Sequence, residues 1–299
     1  MNISPPSLPS EALGSPVVTR PALGAGSRLV RFLVVTLAVA AYMSLGFLLH
    51  TDGTQYLLLG IPLLLLFQLG VHRQPLRTMW VRSGPPIRLD PWFFGLWVLF
   101  SLVPGYELLR AAQRGDVEGA AYEFVAIIGA FGLTYAVRAM RPVNVRQLGL
   151  CILTCCIIYS LILLLNLRDW HVPPLLPGLV LGAENLLILT PVSFMVEEVF
   201  FRGVLDTYLH QGEQGIGWLS AIYLSALWGL WHLPLFHGLY LPVLHWGQFP
   251  LIIAALLVVH ITIGVPLSLW WRRSGNLTVT GTTHALLDTI RNVLVGVSG

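Results

Sequence analysis

The sequence predicts an all-α fold, a polytopic integral membrane helical bundle with eight or nine transmembrane helices. Hydrophobic residues make up 56% of the 299 residues, and Asp, Glu, Lys and Arg only 10%, against about 25% in an ordinary soluble domain. The apolar residues come in runs of about 20, the length that crosses a bilayer as a helix. Arginines follow every second run, as expected when positive charge stays on one side. These three observations exclude a water-soluble globule.

The apolar runs define the predicted spans. Nine of them lie at residues 29–50, 54–71, 91–112, 120–139, 146–166, 174–197, 215–235, 247–271 and 276–297. The sixth run contains Gly182, Glu184 and Pro191, which predict a kink or a break.

Composition divides the chain into three parts. Residues 1–28 hold five Pro and five Ser and are expected to form a flexible tail. Residues 29–170 supply N-terminal transmembrane helices that we regard as accessory. Residues 171–299 form a C-terminal helical bundle, which holds the candidate site.

Arginine placement predicts a cytoplasmic N-terminus in the plasma or inner membrane. The loops after the second, fourth and eighth spans are rich in arginine, and Arg291 is the single exception to the alternation. We find no internal repeat in the sequence, so an inverted-repeat transporter is not favoured.

Residue counts exclude several kinds of chemistry. All 17 basic residues are arginine, so a Schiff-base lysine, a Ser-Lys dyad and a P-loop lysine are ruled out. The net charge of +3 does not suggest a nucleic-acid partner. The three cysteines, Cys151, Cys155 and Cys156, lie in one apolar run and predict helix packing rather than a disulfide framework.

Ionisable residues bracket a long uncharged stretch near the C-terminus. Residues 214–271 contain no Asp, Glu, Lys or Arg, yet hold four of the nine histidines: His232, His237, His245 and His260. Glu197 and Glu198 precede this stretch, and His284 and Asp288 follow it. Because ionisable side chains are costly inside a membrane, they are functional candidates by default.

Helical spacing sorts these candidates into pairs. Glu198 and Arg202 are four residues apart and can form an ion pair, whereas Glu197 points about 100° away and stays free to act as a general base. The alternative is that both glutamates are interfacial charges.

Two further pairs have the same spacing. Trp228 lies one turn before His232 and could orient its ring, and Asp288 lies one turn after His284 and could fix its tautomer. The alternative in both cases is a histidine that only packs in the core. Glu184, in mid-span, is either a site member or a buried hydrogen-bonded acid.

Together these units resemble the signature of the CPBP intramembrane proteases, which include the CAAX prenyl endopeptidases and abortive-infection or bacteriocin-immunity relatives. The similar units are Glu-Glu-x-x-x-Arg at 197–202, aromatic-x-x-x-His at 228–232 and His-x-x-x-Asp at 284–288. The resemblance covers about residues 190–292.

The resemblance implies a glutamate-type endopeptidase that uses activated water and needs no metal. Glu197 would match the catalytic base, with His232 helping to hold the water. His284 and the residue four later, Asp288, would match the oxyanion donors. Glu198 and Arg202 would match the supporting ion pair, with Trp228 in the aromatic position. The implied partners are the lipid bilayer and a peptide or protein substrate, with or without an attached lipid.

The sequence departs from the family at two positions. Trp228 stands where the family usually has Phe, which keeps the aromatic packing. Asp288 stands where it usually has Asn, and an ionised Asp cannot donate to an oxyanion. Asp288 is therefore either protonated or orients His284. We expect the site within about a helical turn of the cytoplasmic face, at the end of a cavity that admits an extended peptide.

Other functions remain as alternatives. Neither HExxH nor GxGD occurs, and the GxSG at residues 296–299 leaves no chain for a downstream histidine. Glu197, His232 and His284 are ligand types that suit zinc, so a zinc-dependent membrane protease is the first alternative. A non-catalytic scaffold or immunity protein and a proton-coupled transporter using Glu184 are the others.

Overall fold

The computed structural model describes residues 25–49, 53–164, 173–211, 215–235 and 249–295. This part of the chain forms nine helices: α1 (Ala25–Leu48), α2 (Gly53–Val71), α3 (Pro91–Arg114), α4 (Val117–Arg138), α5 (Pro142–Leu164), α6 (Leu175–His210), α7 (Trp218–Trp231), α8 (Phe249–Ser274) and α9 (Leu277–Val295). A short 3-10 turn, Leu76–Met79, follows α2.

The helical bundle agrees with the sequence prediction. Each of the nine predicted runs is a helix, and seven of the helices, α1 to α6 and α8, are long and apolar enough to cross a membrane. Helix α7 has 14 residues and α9 is comparatively polar. A polytopic, all-α membrane protein is therefore confirmed.

Local sequence signals set the ends of α3 and α4. The Asp90 side chain caps α3 by accepting a hydrogen bond of 2.9 Å from the Phe93 amide. Gly115 ends α3 in the left-handed conformation at φ 69°, which glycine adopts without steric cost. Asp116 then caps α4 through the Gly119 amide at 2.9 Å. The two helices thus form a hairpin with a very short connection.

Helix α6 differs from its prediction. The expected kink or break near Pro191 does not divide it, and the helix continues to His210, beyond the predicted end at residue 197. Residues 194–206 instead adopt π-helical hydrogen bonding. This wider turn begins three residues after the proline, which itself has no N–H to donate. Such stretches are often found at functional sites, and this one contains both glutamates of the predicted signature.

Close backbone approaches hold the bundle around α6. A Cβ at Gly129 of α4 would clash with the Pro191 carbonyl oxygen, and one at Gly203 would clash with the Met79 carbonyl oxygen. Both glycines therefore let backbone pack directly on backbone. Four large side chains of α6 are fully or almost fully buried: Phe194, Phe200, Phe201 and Leu205. Helix α6 is thus at the centre of the core.

The loops after α2, α4 and α8 meet at one end of the bundle, which we call the arginine end. Val81 pairs with Asn276 in an isolated bridge, and the Arg82 amide donates to the Gly275 carbonyl at 2.9 Å. The Asn276 side chain donates to the Ala136 carbonyl at 2.7 Å. The arginine-rich loops are therefore together, as the alternation requires. Which side of the membrane they occupy stays a prediction.

Candidate active site

Glu197, Trp228 and His232 form one half of the candidate site, between α6 and the end of α7. The Trp228 indole N–H donates a hydrogen bond of 2.8 Å to Glu197 Oε2. His232 Nε2 lies 3.7 Å from the same oxygen. That separation is too long for a direct hydrogen bond but leaves both atoms able to contact one water molecule. Both side chains are slightly exposed, at 17% and 18%.

A backbone contact fixes the tautomer of His232. Its Nδ1 lies 2.9 Å from the Trp228 carbonyl oxygen, which can only accept, so Nδ1 carries the proton and donates. In a neutral ring, Nε2 then presents a lone pair toward Glu197. This arrangement suits an imidazole that accepts a hydrogen bond from water.

Glu198, Arg202 and His284 form the second half. Arg202 lies 2.9 Å from Glu198 Oε1, and His284 Nδ1 donates to the same oxygen at 3.0 Å. The exposed fractions of Glu198 and Arg202 are 0% and 1%. The i, i+4 pair that the spacing predicts is therefore present, and Glu197 is not the partner of this arginine.

Asp288 lies between a histidine and an arginine of its own helix. Its Oδ2 is 3.5 Å from His284 Nε2, and its Oδ1 is 3.1 Å from an Arg291 guanidinium nitrogen. In the sequence, Arg291 stands out only as an exception to the arginine alternation. Its i, i+3 spacing to Asp288 was the signal that could have found it.

Trp228 joins the two halves and brings in a residue that the predicted site does not include. Its ring centroid is 4.1 Å from the Arg202 guanidinium carbon and 5.2 Å from the His284 ring. The His260 ring lies 4.6 Å from Trp228 and 4.3 Å from His232. No ionisable residue lies one helical turn from His260 in the sequence. Its position in the uncharged stretch was therefore the only sequence signal for it.

Other predicted residues lie elsewhere. Glu184 is exposed on α6, so the structure does not bring it into this cluster. His237, His245 and the GxSG at 296–299 lie outside the described residues. Cys151 and Cys155 are buried and Cys156 is half-buried in α5, with no disulfide among them.

Helix α6 extends well beyond the candidate site. Glu197 is expected within about a helical turn of the cytoplasmic face. The helix continues for a further 13 residues after it, to His210, which is roughly 20 Å at the rise of an α-helix. The depth of Glu197 in the bilayer stays a prediction.

We tested whether the residues present fit a metal ion. Within the part of the chain that the structure describes, no group of three or more His, Cys, Asp and Glu side chains is arranged to hold one. His284 Nδ1 already bonds to Glu198, and the Nδ1 atoms of His232 and His260 both lie at hydrogen-bonding distance from backbone carbonyls. These contacts occupy only the Nδ1 atom of each ring. The metal-free mechanism stays a prediction.

The geometry can support acid–base chemistry on a bound water. The Glu197 carboxylate is partly accessible and pairs with no arginine in the part of the chain that the structure describes. The His232 imidazole faces it, and the His284 imidazole stands between two carboxylates. A base next to a group of N–H donors is what hydrolysis of an amide requires.

One comparison with known proteins found a family similar to the C-terminal part of the chain. The family model described as Type II CAAX prenyl endopeptidase Rce1-like matches residues 180–290. That range contains every residue of the cluster up to Asp288. No curated protein and no solved structure matches the chain at a significant level. The resemblance to the CPBP and CAAX proteases is therefore confirmed over this region.

Proposed function

We propose that this chain, whose residues 180–290 match the Rce1-like family of CAAX prenyl endopeptidases, is a membrane-embedded endopeptidase that hydrolyses a peptide bond with a water activated by Glu197. The observation that carries the proposal is that the two adjacent glutamates have different partners. Glu198 is bound to Arg202 and His284, while Glu197, among the described residues, accepts a hydrogen bond from an indole N–H and faces an imidazole.

In the first step, the attacking water lies between Glu197 Oε2 and His232 Nε2. The carboxylate takes one proton as the water oxygen bonds to the substrate carbonyl carbon. The His232 lone pair accepts the other O–H as a hydrogen bond and so orients the water. The Trp228 indole N–H holds the carboxylate oxygen in place at 2.8 Å.

In the second step, the carbonyl oxygen becomes an oxyanion. His284 donates Nδ1–H to Glu198 at 3.0 Å, so its Nε2 is the atom left for the substrate. As an imidazolium it donates Nε2–H to the oxyanion. Asp288, 3.5 Å from Nε2, favours that charged form and is itself neutralised by Arg291. Asp288 therefore acts through His284 rather than as a donor.

In the third step, Glu197 returns the proton to the leaving nitrogen. The carbon–nitrogen bond breaks, the carbonyl re-forms, and the products are a carboxylic acid and an amine. No covalent bond to the enzyme forms. The substrate is a peptide or protein, with or without an attached lipid, entering from the arginine end.

The test compares two glutamates of α6. Glu197→Gln keeps the shape of the side chain but removes the base, and we expect peptide cleavage by the purified chain to fall by about 10²–10⁴-fold. Glu184→Gln, on an exposed position of the same helix, is the matched control and should cleave normally. His232→Ala should lower cleavage as well.

Four results would replace the proposal. Full cleavage by both Glu197→Gln and His232→Ala would show that the mechanism is wrong. Loss of activity on chelation, restored by zinc, would favour a zinc-dependent protease. Proton-coupled uptake that is lost with Glu184→Gln would indicate a transporter, and a normally folded chain with no cleavage at all would fit a scaffold.

A further inference from the structure

A basic pocket lies at the arginine end of the bundle. It has a volume of about 280 Å³, and its lining includes four arginines, Arg82, Arg141, Arg272 and Arg273, but no Asp or Glu. Arg82 and Arg141 lie in the connections after α2 and α4, and Arg272 and Arg273 lie in the last turn of α8. Such a concentration of guanidinium groups without an acid in the lining is suited to an anion.

The arginines of this pocket are not equally neutralised. Arg272 forms a two-point ion pair with Asp206, at 2.9 Å and 2.6 Å. Arg82 makes no such ion pair within the described residues. Its guanidinium carbon lies 5.2 Å from the centre of the Trp271 ring, and its Nε and one terminal nitrogen are buried and make no hydrogen bond there. Burial lowers the pKa of the Arg82 guanidinium, Asp206 raises it and the neighbouring Arg272 lowers it again. A buried cation with unused donors is costly unless an anion joins it.

An apolar groove on the membrane-spanning surface shares one lining residue, Arg273, with this pocket. It lies between α5, α7 and α8, has a volume of about 630 Å³, and is lined mainly by apolar side chains, among them Ile158, Ile222, Val265 and Leu269. Because α5 and α8 are both candidate spans, the groove lies at the depth of lipid chains.

Arg273 lines both cavities and so connects them. Its guanidinium carbon lies 5.5 Å from the centre of the Trp270 ring, which also lines the groove. A ligand that filled both cavities would need a negative group at one end and a long apolar chain at the other. A soluble anion would use only the pocket, and an apolar chain without charge only the groove.

We propose that the basic pocket and the apolar groove together bind an anionic phospholipid of the surrounding bilayer. Its phosphate would be held by Arg82, Arg141 and Arg273, and one acyl chain would lie between α5, α7 and α8. The site is separate from the proposed catalytic cluster and does not depend on it, so the two proposals can fail independently. Bound lipid would brace α8, the helix that also carries His260.

The experiment measures lipid binding to the full-length chain in detergent by native mass spectrometry and thermal unfolding. The probes are phosphatidylglycerol, phosphatidylcholine of equal chain length and inorganic phosphate. We expect phosphatidylglycerol to bind at least tenfold more tightly than phosphatidylcholine and to raise the unfolding temperature, with no effect of inorganic phosphate.

Variants address the two cavities separately. Arg82→Gln and Arg273→Gln should each weaken phosphatidylglycerol binding about tenfold, and Arg273→Lys should keep most of it. Ile222→Trp, which fills the groove, should weaken binding of both lipids. Arg146→Gln, an exposed arginine near the same end that lines neither cavity, is the control and should bind normally.

Equal binding of the two lipids would overturn the proposal, because the arginines would then have no role. So would stabilisation by inorganic phosphate alone, or arginine variants that weaken binding while Ile222→Trp leaves it unchanged. If Arg82→Gln does not fold, Arg273→Gln and Arg273→Lys still decide the question.

Discussion

At the scale of single residues, Asp288 stands where the family that the chain resembles usually has an amide. It lies 3.5 Å from His284 Nε2 and 3.1 Å from Arg291. Under the proposed mechanism, the arginine offsets the charge of the carboxylate, which would otherwise repel a developing oxyanion. We therefore expect the acid at this position to depend on Arg291, one helical turn away.

This dependence predicts a non-additive pair of substitutions. Arg291→Gln leaves Asp288 without its cation and should lower kcat/KM for peptide cleavage about tenfold. Adding Asp288→Asn should restore most of the loss, because the family's amide needs no counter-charge. A double-mutant cycle on kcat/KM measures the coupling, expected at about 1 kcal/mol. Additive losses would mean that Asp288 does not rely on Arg291.

Sequence predicted the local part of this site but not its long-range part. The Glu198–Arg202, Trp228–His232 and His284–Asp288 pairs lie one helical turn apart, so periodicity places them on one face. The contact of His260 with Trp228 joins different helices, and no spacing rule reports it.

At the scale of elements, the crossing of α7 and α8 places both Trp228 and His260. A Cβ at Gly264 of α8 would come within 2.6 Å of the Ser225 hydroxyl and 3.1 Å of the Trp228 ring. The glycine therefore allows the close approach. Sequence could predict the caps of α3 and α4 from Asp90 and Asp116, but it could not predict this crossing or the π-helical hydrogen bonding of α6.

The crossing predicts opposite effects of the same substitution at two glycines. Gly264→Ala should destabilise the chain by about 1–3 kcal/mol through overpacking and lower cleavage by displacing Trp228. Gly149→Ala, where a Cβ meets nothing within 4 Å, should be neutral or stabilise by up to ~1 kcal/mol. Thermal unfolding and cleavage rates measure both. Equal effects at the two positions would show that the close approach does not matter.

At the scale of the whole molecule, the arginine-rich loops meet at one end, which we expect to be cytoplasmic. Leu89→Cys lies at this end, next to the start of α3, and Gln113→Cys lies at the far end of the same helix. A membrane-impermeant maleimide should label Gln113→Cys in intact cells and Leu89→Cys only after permeabilisation. The parent chain, with its cysteines in α5, gives the background. The reverse pattern would place the N-terminus outside.

The number of helices and the side on which the arginines gather could be predicted, because both depend on where apolar runs and arginines occur along the sequence. The packing of the N-terminal helices could not be predicted in this way. Tyr56 of α2 donates to the Trp231 carbonyl at 2.8 Å, and the Tyr42 ring of α1 lies 5.5 Å from Trp231, one residue before His232. Two of the helices expected to be accessory thus contact the residue that precedes His232 of the candidate site.

Helix α6 has 36 residues, roughly 50 Å at the rise of an α-helix, whereas the hydrocarbon core of a bilayer is about 30 Å thick. The helix must therefore incline strongly or extend beyond the lipid chains. Since Glu197 lies within α6, its height relative to the headgroups follows whichever adjustment the bilayer imposes. Under the proposed function, the thickness of the host membrane would therefore set how far a substrate must travel to reach Glu197.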